Sequence, residues 1–114
     1  MGQIYFLRFE AWSAISRFEF DKTWSIALEA VAKTGNWGGV EKGIRHIGAY
    51  GTAWGGYVLF EAETPEAYAQ YQMFHFNNFS HVARITIEPV IDLDTAFVSM
   101  IKEIRAKDKE RLRI

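Results

Sequence analysis

This 114-residue sequence predicts an α+β fold in which helices cover one side of a single antiparallel sheet. Three features predict it. Four stretches alternate apolar and polar residues as strands do, stretches between and after them carry helical spacing, and the order is strand, helix, strand, strand, helix, strand, helix. At this length, with 49% hydrophobic and 24% charged residues, the chain makes one domain over residues 1–114.

Residues 3–12 alternate along their whole length. Tyr5, Leu7, Phe9 and Ala11 share one side, and Ile4, Phe6, Arg8, Glu10 and Trp12 share the other. Residues 13–20 have no clean period and read as a loop or a short turn of helix. Asp21 is then the expected N-cap of a helix whose Trp24, Ala27, Leu28, Val31 and Ala32 form one buried stripe, with Gly35 ending it. A glycine-rich connection, NWGGVEKG, follows.

Residues 45–63, RHIGAYGTAWGGYVLFEAE, read as a hairpin turning on Gly55 and Gly56, since adjacent glycines supply the positive φ of two-residue turns. That register sets Trp54 opposite Tyr57, Thr52 opposite Leu59 and Tyr50 opposite Glu61. Ile47, Ala49, Gly51 and Ala53 then join Val58, Phe60 and Ala62 on a small apolar face suited to close helix packing. His46, Tyr50, Thr52, Trp54, Tyr57, Glu61 and Glu63 occupy the other face.

Thr64-Pro65-Glu66 starts a second helix, with Thr as cap, Pro in the first turn and Glu complementing the dipole. It is expected to end near Asn77 or Phe79. Its second half, YQMFHFNNF, is apolar on more than one side, as in a helix wrapped by other elements or by a partner. Residues 81–92 form the last strand, with Ile85, Ile87 and Ile91 inward and Arg84, Thr86, Glu88 and Val90 opposite. Pro89 places that strand at an edge or a bulge. Asp94 or Thr95 caps a final helix striped by Phe97, Met100, Ile101 and Ile104; from Lys102 it is mostly charged, and fraying is expected near Ile114.

With right-handed crossovers this order closes as a split βαβ, ferredoxin-like sheet, the first strand lying between the third and fourth. Arg8 and Glu10 then come near Glu61, Glu88 and Arg84. The face without helices would carry Ile4, Phe6, Trp12, Tyr50, Trp54, Tyr57 and Leu59, more apolar surface than a soluble monomer leaves bare. A second copy is expected to cover it, making the chain its own partner in a homodimer or higher homo-oligomer.

Two such sheets face to face resemble the dimeric α/β barrel superfamily. More narrowly, residues 44–94 resemble the small DUF3303-type proteins of uncharacterised function, through GIRHIGAYGTAWGGYVLFEAETPEAYAQY and ITIEPVIDLD. The resemblance implies a cavity between sheet and helices, which in different barrel proteins serves cofactor-free monooxygenation, lactone isomerisation, polyketide cyclisation, haem binding or ligand sensing. Some of these relatives use a histidine on the helix that here carries His75.

Formal net charge is −1, so no general field attracts a polyanion and nucleic acid is not an expected partner. The chain has no Cys, which removes thiol nucleophiles and thiolate metal sites. It opens like a strand rather than a signal peptide and has no apolar run of spanning length, so a cytoplasmic location without membrane contact is expected. Neither glycine cluster has a phosphate-loop or dinucleotide pattern, so no cofactor is expected. His75 and His81 lack the spacing of ligands on one helix face, and no metal site is expected.

The candidate catalytic groups are His46, Tyr50 and Glu61: an imidazole that titrates near neutrality, a phenol that can donate to an oxyanion, and a carboxylate that can orient either or act as base. An apolar cavity would raise the carboxyl's pKa toward neutrality. The candidate substrate-binding set is Phe6, Arg8, Glu10, Trp12, Trp54, Tyr57, Arg84 and Glu88. The same residue types suit polar supports and cross-strand ion pairs of a dimer interface. The function expected is therefore binding of an aromatic or polyketide-like small molecule at the open sheet face, with or without cofactor-independent proton-transfer catalysis. The alternative is a non-catalytic homo-oligomeric ligand-binding or assembly module.

Overall fold

The structure, a computed structural model, describes residues 2–112, with side chains described through Lys109. The expected fraying near Ile114 lies outside the described residues. The elements run β1 (Gln3–Ala11), α1 (Arg17–Lys22), α2 (Trp24–Thr34), β2 (Ile44–Thr52), β3 (Gly55–Ala62), α3 (Pro65–Phe79), β4 (Ala83–Val90), α4 (Leu93–Ala96) and α5 (Val98–Leu112). The sheet order is β2-β3-β1-β4, with every neighbouring pair antiparallel. This is the ferredoxin-like arrangement with β1 central, and Pro89 sits on edge strand β4 where its missing N–H costs no ladder bond. No helix among the described residues is long and apolar enough to cross a membrane.

One sheet face lies against the helices. Leu7, Val58, Phe60, Ala62 and Tyr71 are buried there, with Tyr5, Phe9, Ile85 and Ile87 packed against them. Leu7, Phe60 and Tyr71 are the largest fully buried side chains, and a side chain such as Leu7 stabilises the fold by roughly 1.5–3 kcal/mol on burial. The alternation along β1 and β3 sorted these residues correctly.

The hairpin turns elsewhere than expected. Thr52 pairs with Gly55, Gly51 with Gly56 and Tyr50 with Tyr57, so Ala53 and Trp54 make the turn. Gly55 and Gly56 have no positive φ and belong to β3. Close approach is what requires them: a Cβ at Gly55 would strike the Phe9 carbonyl, and one at Gly56 would strike the Tyr50 carbonyl and approach the Phe9 ring. The turn is held from outside, since Arg17 donates to the Ala53 carbonyl and the Ala11 N–H donates to the Trp54 carbonyl at 2.7 Å. The partner of Tyr50 moves by an even number of residues, which keeps Tyr50, Tyr57 and Glu61 on one face. A bulge at Ile47 then shifts the remaining register by one, and His46 falls opposite Phe60.

Two helix starts are corrected. Thr23, not Asp21, stands at the N-cap of α2, and Asp21 lies inside α1, a separate short helix that Ser16 caps by accepting from the Glu19 N–H. Asp92, rather than Asp94 or Thr95, caps α4, the short helix ahead of α5, accepting from the Thr95 N–H at 3.2 Å. The buried stripe of α2 is also rotated from expectation: Ala27 and Ala30 face the interior, while Leu28 is 56% exposed. Two alanines on the inner face let the helix sit close. Ile91, expected inward, lies beyond β4 and is exposed.

The radius of gyration is 19.0 Å, against about 13 Å for a compact chain of this size. The excess comes from α5, along which no element of the body packs closely, and which stretches the molecule to 64 Å.

Candidate functional site

The open face presents an aromatic row. Phe6 and Tyr57 have ring centroids 5.4 Å apart and Tyr57 and Tyr50 5.2 Å apart, since Phe6 and Tyr57 lie on adjacent strands and Tyr50 is directly opposite Tyr57. Glu10 lies opposite Arg84, Glu88 opposite Phe6, and Arg8 between Tyr57 and Thr86. Among the described residues, no ion pair joins Arg8, Glu10, Arg84 or Glu88. A hollow of about 350 Å³ lies over this region, lined by Phe6, Arg8, Glu10, Thr52, Trp54 and Tyr57.

The proposed catalytic trio is not brought together. Glu61 lies four residues from Tyr57 along β3, roughly 13 Å, so it stands well away from the Tyr50 ring. Its Oε1 accepts from Arg45 Nε at 2.7 Å and its Oε2 from the Gly2 N–H at 3.1 Å. The hydrogen bond from Arg45, helped by that from Gly2, holds the carboxyl below its usual range, the reverse of the expected rise. His46 is exposed and, by its pairing with Phe60, on the other side of the sheet. Arg8 and Glu10 approach Arg84 and Glu88 as expected but not Glu61, which is opposite Ile4. Trp12 is tied down outside the hollow, its Nε1–H donating to the Ser80 carbonyl at 2.9 Å. Trp54 leans toward α1, with the Arg17 guanidinium 5.1 Å from its ring centroid and Phe20 at 6.3 Å.

A second candidate site lies on the helix side of the sheet. The inner stripe of α3 is Ala67, Tyr71, His75 and Phe79, one residue per turn. Thr64 starts that helix by accepting from the Ala67 N–H, with Pro65 in its first turn. Opposite it, the connection after α2 is folded around Asn36, whose Nδ2 donates to the Val40 carbonyl at 2.7 Å and whose Oδ1 accepts from the Gly38 and Val40 N–H groups at 3.1 Å. Gly38 allows this loop to press on α3, because a Cβ there would run into the Tyr71 ring. The loop thus delivers Trp37 to the interior beside His75.

Between them is a cavity of about 40 Å³ walled by Phe9, Phe20, Trp24, Trp37, Phe79 and Ile85, with His75 among its lining groups. A single water needs roughly 10–15 Å³ on this measure, so the space as it stands holds a few waters. Thr23 and Val82 also border a wider outer hollow of about 560 Å³ that carries Glu19, Lys22 and His81. Thr23 and Val82 are thus a wall common to the aromatic cavity and a more polar hollow.

His75 is 6% exposed and its Nε2 has no hydrogen-bond partner. Burial pulls its pKa down to about 4, with a hydrogen bond to the Trp37 backbone working weakly the other way. At neutral pH it is an uncharged imidazole, whose free ring nitrogen accepts a hydrogen bond. Tyr71 is the other orphan: its ring stacks on Phe60 at 3.7 Å, its hydroxyl has no partner, and burial pushes that hydroxyl's pKa up. The sequence held a signal for this site. A polar residue at the third position of an otherwise apolar i, i+4, i+8 run on α3 marks a buried ionisable group.

No family model matches the sequence, and no curated protein matches it. Among solved structures the chain is similar to the 30S ribosomal protein S6 from Thermotoga maritima, at 13% identity, over 94% of this chain and 99% of that one, with a TM-score of 0.43.

Proposed function

We propose that this protein is a small-molecule-binding module whose ligand enters the aromatic chamber beneath the helices. The ligand is a single-ring or similarly small apolar molecule carrying one hydroxyl or N–H donor, and the aromatic walls move apart to admit it, since the resting cavity of about 40 Å³ is smaller than a ring requires. The observation that carries this reading is the unpartnered Nε2 of a buried, uncharged His75 bordering an aromatic cavity. A buried acceptor without a partner costs about 1–3 kcal/mol, which a donor on the ligand recovers on binding. Aromatic walls select for a ring, and Glu19, Lys22 and His81 line a neighbouring hollow beyond Thr23 and Val82. Binding without catalysis is favoured because Glu61 is engaged by Arg45 and stands apart from Tyr50 and His46.

Phenol and toluene are the discriminating probes, since they match in size and differ in the donor. Titration followed by tryptophan fluorescence, which sees Trp24 and Trp37, should show phenol binding roughly tenfold tighter than toluene, and His75→Leu should abolish that preference. Equal affinities in the wild type, or an unchanged preference in the variant, would overturn the reading.

A second reading concerns the open face. The row of Phe6, Tyr57 and Tyr50 with its adjoining hollow supports a second copy packing sheet to sheet, as in a dimeric α/β barrel, with an aromatic ligand held between Arg8, Glu10 and the rings. Phe6→Asp would bury a charge in that interface, and dissociation measured by sedimentation is the expected result. Unchanged association would place the interface elsewhere.

A further inference from the structure

Among the described residues, no element of the body packs closely along the helical arm formed by α4 and α5. Its backbone bonding is nearly continuous, with the Phe97 N–H donating to the Leu93 carbonyl and the Ile101 N–H to the Phe97 carbonyl, both at 3.0 Å. The arm carries an apolar stripe that nothing covers: Phe97 is 44%, Met100 57% and Ile104 60% exposed. An isolated helix of this length is marginal in water, and helices in proteins gain most of their stability by packing an apolar face. The arm therefore needs a surface to lie on, and the distribution of its side chains specifies which.

That distribution is self-complementary. The stripe occupies the middle of the arm, the acidic Asp94 stands at its start, and Lys107 stands toward its end beside Asp108. When two copies run antiparallel about a two-fold axis between Met100 and Ile101, Phe97 meets Ile104 and Met100 meets Ile101. In that same register Asp94 meets Lys107. A closed symmetric contact requires this property, that residue i faces j while j faces i. Parallel pairing would instead set acid against acid at one end and base against base at the other.

We propose that the arm is a homodimerisation element, pairing antiparallel with the same arm of a second copy. The two helix axes would lie about 8–10 Å apart, as in packed helices generally. The contact is separate from the open sheet face and does not depend on the ligand reading above. It also leaves the chamber at His75 untouched.

The full-length chain permits a clean test, because all four tryptophans, Trp12, Trp24, Trp37 and Trp54, lie in the body. Their fluorescence reports whether the body is folded, independently of the arm. Sedimentation equilibrium should show a wild-type dimer at micromolar concentration, and Ile104→Glu should weaken it by roughly 100-fold with the tryptophan emission unchanged, since the charge loses its water in the dimer. Asp94→Lys and Lys107→Asp should each weaken association by roughly tenfold, and the double reversal should restore it.

The chain has no cysteine of its own, so Met100→Cys, next to the axis, should oxidise to a covalent dimer while Ser99→Cys, on the far side of the helix, should not. A monomeric wild type at tens of micromolar would overturn the proposal. So would a dimer that survives Ile104→Glu when Phe6→Asp has also removed the open-face contact, or a double reversal that fails to rescue.

Discussion

Lowering the pH should destabilise the fold through one buried imidazole, and the size of the effect follows from its surroundings. Burial depresses the pKa of His75 from its ordinary 6.5 to about 4. The unfolded chain therefore takes up a proton below pH 6.5 that the folded chain refuses until about pH 4. Stability from this group is complete above pH 6.5, falls as the pH drops through that window, and is constant again below pH 4. At about 1.4 kcal/mol per pH unit the loss amounts to about 3 kcal/mol, a large part of the 5–15 kcal/mol that typical domains possess. Most of it falls above pH 4.5, before the loss linked to the depressed carboxyls of Glu61 and Asp92, held by Arg45 and by Thr95, sets in as the pH drops through the ordinary carboxyl range. Urea unfolding by tryptophan fluorescence from pH 7.5 to 4.5, on the wild type and on His75→Leu, isolates the effect as a difference between two curves. The variant should lose this part of the pH dependence and gain relative stability as the pH falls. Parallel curves would show that the imidazole is already hydrated or charged in the folded state, and the neutral-acceptor argument for the chamber would fail with it.

Tyr71→Phe should be neutral or stabilising by up to about 1 kcal/mol, because it removes a buried hydroxyl that has no partner and keeps the ring stack on Phe60; a loss above 1 kcal/mol in urea unfolding would reveal a hidden partner. Gly38→Ala should cost several kcal/mol, read as a lower thermal midpoint, since its methyl group would occupy the Tyr71 ring and the loop bringing Trp37 to the cavity would have to lift. Asp92→Ala should remove the arm's N-cap at a cost of about 1 kcal/mol of helix stability, seen as reduced far-ultraviolet helicity with unchanged tryptophan emission. Glu61→Gln should change stability by less than about 1 kcal/mol, as Arg45 is largely exposed and its ion pair is screened by solvent.

The strand and helix order, the central position of β1 and the helix-facing sets Tyr5, Leu7, Phe9 and Val58, Phe60, Ala62 were all readable from periodicity. A period of two is a property of each strand alone. The hairpin register was not, because Gly55-Gly56 is a turn signal only when nothing presses on it, and here β1 does. That pressure is a contact between segments some 45 positions apart, and no local rule contains it. The bulge at Ile47 has the same character, and it is what carried His46 away from Tyr50 and Glu61. The open-face residues Phe6, Arg8, Glu10, Trp54 and Tyr57 gather as their alternation required, with Arg17 against the Trp54 ring, whereas Trp12 was drawn off by the Ser80 carbonyl, a partner that only tertiary structure brings near. His75 was overlooked as a site on its own, since its environment depends on a loop closed by Asn36.

The irregularity at Ile47 has a meaning beyond this chain's own register. An edge strand offers a row of unpaired N–H and C=O groups on which another strand can grow, and proteins that remain dispersed interrupt such rows. Here β2 is one edge and is broken by its bulge, while β4 is the other and carries Pro89, which has no N–H to offer. Both margins of the sheet are thereby poor templates for strand addition. Self-association is steered away from open-ended ribbons and toward contacts that close on themselves, leaving side-chain surfaces, rather than backbone, to decide how many copies assemble.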